Sequence, residues 1–180
     1  MLFSVDAFGG GFIVNSLLAL WLFERFGLSV VTAGAIFFAT GICAALSYFV
    51  AAGLVERFRL INTMVFTHLP SSAFLVLAAF APTLSVAVML LVLRSLLSQM
   101  DVPTRPSYVM AVVEPVERPA AASVTAVPRS LAASLSPALA GWMLAASPFG
   151  WPLVCAGTLK IAYDLALLRS FGSVRPPEEM

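Results

Sequence analysis

Residues Val30 to Leu54 read VVTAGAIFFATGICAALSYFVAAGL, a run without a single Asp, Glu, Lys, Arg or His. A helix rises about 1.5 Å per residue and the hydrocarbon core of a bilayer is ~30 Å thick, so a run of this length is what one crossing requires. Outward from it, comparable runs lie near Leu2 to Phe23, Leu60 to Phe80, Leu84 to Val113, Pro119 to Ala146 and Pro152 to Phe171, with short polar breaks between them. The chain is 61% hydrophobic and 11% charged. A soluble domain carries roughly 45–50% apolar residues, so a water-soluble fold of this size could not hide so much apolar surface.

Lipid offers the backbone no hydrogen-bond partners, which leaves helices or a closed barrel, and the runs lack the period-two alternation of barrel strands. The expected fold is therefore an all-α, integral membrane six-helix bundle over residues 1–173, followed by a cytoplasmic tail at 174–180. Leu84 to Leu97 is short for a span, and Ser98 to Tyr108 is polar with Pro103 and Pro106. The fourth span is read as one long, locally broken helix whose break faces the bundle interior, where protein or a water-filled cavity satisfies the freed carbonyls. The triplet Gly9-Gly10-Gly11 weakens the first helix, which implies close contact with a neighbour or a flexing point.

Composition also excludes. A net charge of +1 and the lack of any Lys or Arg run argue against a nucleic-acid partner. Cys43 and Cys155 sit inside apolar runs and read as packing thiols, and the segment after Met1 has neither a basic start nor a small-residue cleavage site, so it is expected to stay as a helix. His68, the sole histidine, cannot build a metal site alone and reads as a hydrogen-bonded packing residue. No H-E-x-x-H, G-x-S-x-G or P-loop pattern occurs, so no cofactor and no enzymatic activity are expected.

The breaks alternate in charge. Glu56, Arg57 and Arg59 fill one and Glu114, Glu117 and Arg118 another, against the uncharged Ala81-Pro82-Thr83 and Ser147-Pro148-Phe149-Gly150. With Arg175 in the tail, the positive-inside bias puts the charged breaks and both termini in the cytoplasm of a multi-pass protein of the plasma (inner) membrane. Arg25, beside Glu24 in the first outer turn, is the exception.

Ionisable side chains at membrane depth are costly and therefore candidates for function. Asp6, Arg94, Gln99, Asp101, Arg105 and Arg129, with Asn15 at mid-span, are the candidate residues of a substrate or proton pathway. Asp101 and Arg105 stand at spacing four and could instead pair and snorkel. Asp6 reads either as a proton-coupling carboxylate or as an interfacial residue near the start of the first helix. Lys160 and Asp164, also four apart, read as a structural ion pair.

The end of the second run, Ala52-Gly53-Leu54-Val55-Glu56-Arg57-Phe58-Arg59-Leu60, is similar to the loop signature Gly-x-x-x-Asp-Arg-x-Gly-Arg of the major facilitator superfamily, in its weaker second-half copy. Ala52 replaces the first glycine, Glu56 the acid, and Arg59 departs from the second glycine. Arg94, the later Pro103 and the Glu114-Pro115-Val116-Glu117-Arg118 loop resemble the family's fourth or tenth helix and the loop after it. Ser136-Pro137-Ala138-Leu139-Ala140-Gly141 resembles its Gly-Pro-x-x-Gly-Gly element.

This resemblance implies two inverted three-helix repeats forming the C-terminal half of a transporter, with alternating access by rocking of one half against the other. It implies a cytoplasmic gate at Glu56 and Arg57 supported by Arg118, and an interior position for Arg94. It implies transport of a small molecule by a secondary transporter, as proton-coupled efflux, with the lipid bilayer and a second six-helix half or another copy as partners. The alternative is a non-transporting membrane scaffold or interaction protein built from a truncated transporter half. A membrane enzyme is disfavoured by the single histidine.

Overall fold

The computed structural model describes residues 2–58, 60–99 and 113–171. Seven helices stand among them: α1 Leu2–Gly11, α2 Asn15–Phe26, α3 Val30–Phe58, α4 Leu60–Ala79, α5 Leu84–Ser98, α6 Arg118–Ala146 and α7 Trp151–Phe171. No strand occurs among the described residues. Two spans, Val30–Ala51 and Trp151–Ser170, are each long and apolar enough to cross a membrane, and the α1–α2 pair makes a third if taken as one broken span.

The first run is not the single helix expected over Leu2 to Phe23. It breaks after Gly11 and resumes at Asn15, the two pieces bent by 42°. Both readings of the glycine triplet hold at different positions. A Cβ on Gly11 would stand 2.7 Å from the Ala133 carbonyl oxygen, and one on Gly9 3.3 Å from the Ala156 oxygen, so both make close contact with neighbouring helices. Gly10 has open space around it, and its carbonyl accepts from Ile13 N–H at 3.1 Å as the helix unwinds. The run then extends to Phe26, where Gly27 at φ 67° caps it with its N–H on the Phe23 carbonyl at 2.8 Å. Only glycine takes that left-handed conformation without a Cβ penalty.

Side-chain oxygens start the next helices. Ser29 Oγ accepts from Thr32 N–H at 3.1 Å ahead of α3, and Thr83 Oγ1 accepts from Val86 N–H at 3.4 Å ahead of α5, each satisfying a donor that a helix start leaves free. α3 runs beyond Leu54 to Phe58. α5 ends at Ser98, and residues 100–112, with Asp101 and Arg105 on the broken part of the fourth span, lie outside the described residues.

The helix contacts repeat under exchange of the chain's halves. The α1–α2 pair packs on α6 and α7; its counterpart α5 packs on α3 and α4. α3 meets α4 as α6 meets α7, and α4 meets α7 across the exchange axis. α4 also packs tightly on α7, where a Cβ on Gly157 would stand 2.8 Å from the Ser72 carbonyl oxygen.

The main core gathers Trp21, Leu22, Leu75, Ala79, Leu153 and Ala156, and a smaller cluster holds Met64, Val65, Tyr163 and Leu167. Large apolar side chains elsewhere are exposed along whole faces, among them Phe38, Ile42 and Phe49 on α3 and Val124, Val127, Leu131, Leu135 and Trp142 on α6. Such faces are far larger than a soluble monomer exposes and suit lipid or a partner.

Arg25, the exception to the charge pattern, is tied into the fold. Its guanidinium donates to the Ala81 carbonyl at 3.4 Å and lies over the rings of Phe26 and Phe149, at 5.6 and 5.5 Å from their centroids. Phe149 in turn packs edge-on against Phe80 and Trp151. One side chain thus joins its own turn to both uncharged turns at a single end of the bundle.

Candidate functional site

Four ionisable side chains from three helices meet between the two apolar clusters. Asp6 on α1, His68 on α4, and Lys160 and Asp164 on α7 are 5%, 4%, 9% and 1% exposed. Lys160 Nζ donates to Asp6 Oδ1 at 2.6 Å and lies 3.5 Å from His68 Nε2. His68 Nδ1 stands 2.9 Å from both carboxylate oxygens of Asp164, and His68 Nε2 is 3.7 Å from Asp6 Oδ1. The Tyr163 ring meets the imidazole edge-on at 6.4 Å.

This geometry bears on three expectations. Lys160 and Asp164 share a helix face, as spacing four requires, yet each is bound across helices, Lys160 to Asp6 and Asp164 to His68. Asp6 is buried in an ion pair with Lys160. His68 is no mere packing residue, because it bridges two carboxylate-bearing helices. A carboxylate accepts and never donates, so Nδ1 carries a proton toward Asp164; Nε2 is then free to accept from the Lys160 ammonium. Two carboxylates and one ammonium sum to −1 with the imidazole neutral and to 0 with it protonated. One proton therefore neutralises the cluster, in surroundings where net charge is expensive.

The cluster borders a cavity of about 570 Å³. Asp6, His68 and Lys160 form part of its wall, and Asn15, Arg94, Gln99 and Arg129 stand around the rest. Arg94, half-buried, also lines a neighbouring pocket of about 160 Å³ together with Asn15, Ser98 and Gln99, so these four stand between the two spaces. Ser71 Oγ donates to the Arg94 carbonyl at 3.3 Å, and Gln99 Oε1 accepts from Tyr48 O–H at 3.2 Å. Pro137 has no N–H to give the Ala133 carbonyl, a group of the residue that lines the cavity beside Gly11.

Of the sequence candidates, the structure thus gathers Asp6, Asn15, Arg94, Gln99 and Arg129 around one space. Asp101 and Arg105 lie outside the described residues. Glu56 and Arg57 occupy the last turn of α3 with side chains outside the described set, and Arg118 is exposed at the first position of α6. From sequence, Lys160 and Asp164 stand as functional candidates for which a structural ion pair is favoured, and His68 as a packing residue favoured over a proton relay. The usable signal was the charge count: two acids, one lysine and the sole histidine within apolar spans do not balance by pairing Lys160 with Asp164.

The described residues contain no group of three or more His, Cys, Asp or Glu able to hold a metal ion. No curated protein and no solved structure matches the chain. The family model described as Major Facilitator Superfamily matches residues 1–179. Together with the all-helical, internally repeated membrane fold, that match over nearly the full length shows that the chain belongs to the major facilitator superfamily of transporters.

Proposed function

We propose that this chain is one six-helix half of a secondary transporter that exports a small molecule through the 570 Å³ cavity in exchange for a proton held at His68. The observation that carries the reading is the Asp6–Lys160–His68–Asp164 cluster, buried among apolar helices and yet opening onto that cavity. Adding a proton at Nε2 turns an acceptor for Lys160 into a donor facing Asp6, and puts two cations 3.5 Å apart. The proton thereby weakens the link between α1 and α7 that Lys160 now makes, which ties protonation to helix arrangement.

The proposal extends to surroundings. The exposed apolar faces of α3 and α6 are surfaces for the bilayer and for a second six-helix half or another copy, which supplies the opposite cavity wall. The charged end with Glu56, Arg57 and Arg118 is the cytoplasmic gate, both termini lie on that side of the plasma membrane, and the Arg25 end is external.

Proteoliposomes carrying a trapped pH dye test the coupling. Compounds that cross are expected to move protons with them in the parent protein and to lose that coupled movement with His68→Gln. Proton movement unchanged by His68→Gln would overturn the assignment of the proton to this cluster, and absence of flux for every compound would favour a scaffold.

A further inference from the structure

We infer that the substrate is a small organic anion, bound through a carboxylate by Arg94 and Arg129; this rests on the transport reading above and names its substrate class. The cavity wall is unequal in sign. Among the described residues its charged side chains are Asp6, Arg94, Arg129 and Lys160, with His68 beside them. Asp6 is already taken by Lys160 at 2.6 Å, and the second carboxylate, Asp164, lies behind the wall with both oxygens on His68. Arg94 and Arg129 form no ion pair among the described residues, so two fixed guanidinium charges face the same space without a counter-ion.

A guanidinium is charged at any pH a cell presents, and at membrane depth its charge must be offset by water or by an anion. Its planar fork matches a carboxylate with two parallel N–H···O bonds. A cationic substrate, by contrast, would find no open carboxylate among the described residues of this wall.

The uncharged lining agrees in polarity. Ser72, 1% exposed, borders the cavity, and its hydroxyl has no hydrogen-bond partner. A buried hydroxyl without a partner carries a standing penalty that a bound acceptor removes. Gln99 has its carbonyl oxygen engaged by Tyr48, which leaves its amide N–H groups to donate. The free hydrogen-bonding capacity of these residues is thus mostly donors, the complement of an acceptor-only carboxylate.

Thermal unfolding of the detergent-purified chain, followed by tryptophan fluorescence, tests this without flux. The probes are straight-chain dicarboxylates, with the diamides and diamines of the same skeletons as matched controls. Carboxylates are expected to raise Tm with concentration while amides and amines do not. Arg94→Gln and Arg129→Gln should each weaken the apparent affinity on the order of tenfold, the loss expected for a charged hydrogen bond. Arg94→Lys, which keeps the charge and loses the fork, should fall between. Stabilisation by diamines in place of dicarboxylates, no shift with any carboxylate, or a carboxylate shift that survives both glutamine substitutions would overturn the assignment. The comparison of ligand classes on the parent protein stands even if a variant misfolds. Failure here leaves the pH-dye result untouched, and failure of that assay leaves the ligand class standing.

Discussion

Lys160, on the last helix, closes on Asp6, on the first, with Nζ 2.6 Å from Oδ1 and both side chains buried. Breaking a buried pair from one side leaves an uncompensated charge, and this costs about 3 kcal/mol or more, whereas removing both partners costs much less. Lys160→Met and Asp6→Asn should therefore each lower thermal stability in detergent, with the double variant more stable than either single one. Additive losses in that double-mutant cycle would show that the pair is not coupled.

His68 is the sole histidine, so its imidazole gives one set of nitrogen resonances in a ring-labelled sample. With Nδ1 held 2.9 Å from both Asp164 oxygens, the neutral form is expected as the Nδ1–H tautomer. Asp164→Asn should redistribute the tautomers. A neutral form protonated at Nε2 in the parent protein would contradict the bridge.

Glycines separate into contact and non-contact positions. A Cβ at residue 157 meets the Ser72 carbonyl at 2.8 Å, a backbone atom that cannot rotate away, so Gly157→Ala should destabilise by about 1–3 kcal/mol through overpacking of α4 against α7. Gly34→Ala on α3, with nothing within 4 Å, should instead be neutral or add about 0.5–1 kcal/mol through helix propensity. Thermal scans of the two variants side by side decide it.

Arg25→Gln removes a cation from two aromatic rings and a donor from the Ala81 carbonyl. A loss of about 1–2 kcal/mol is expected, given ~0.5–1 kcal/mol for a partly exposed cation–π contact and ~1 kcal/mol for the hydrogen bond. An unchanged Tm for this variant would show that the three turns are held together without it.

The helical membrane fold was legible because hydropathy and run length act locally, and Val30 to Leu54 states both within one stretch. Helix ends were less so: the first run broke where Gly11 yields to Ala133 and Ser136 of α6, a contact no local pattern announces. The partners of the buried charges were hidden for the same reason. Lys160 could be matched to Asp164 four residues on, but its actual partner lies 154 positions away in the chain, and only the packing of α1 against α7 brings Asp6 there. The candidates that did assemble, Asp6, Asn15, Arg94, Gln99 and Arg129, were found because a charge or amide within an apolar run needs a polar space, and all five line the same one.

Since the Arg25 guanidinium fastens three turns to one another, that rim resists spreading as a unit. Large displacements are then expected at the far end, where α6 begins at Arg118, while the fastened rim serves as the pivot. A spin-label pair placed across the rim should hold its separation through a transport cycle, and a pair across the far end should not.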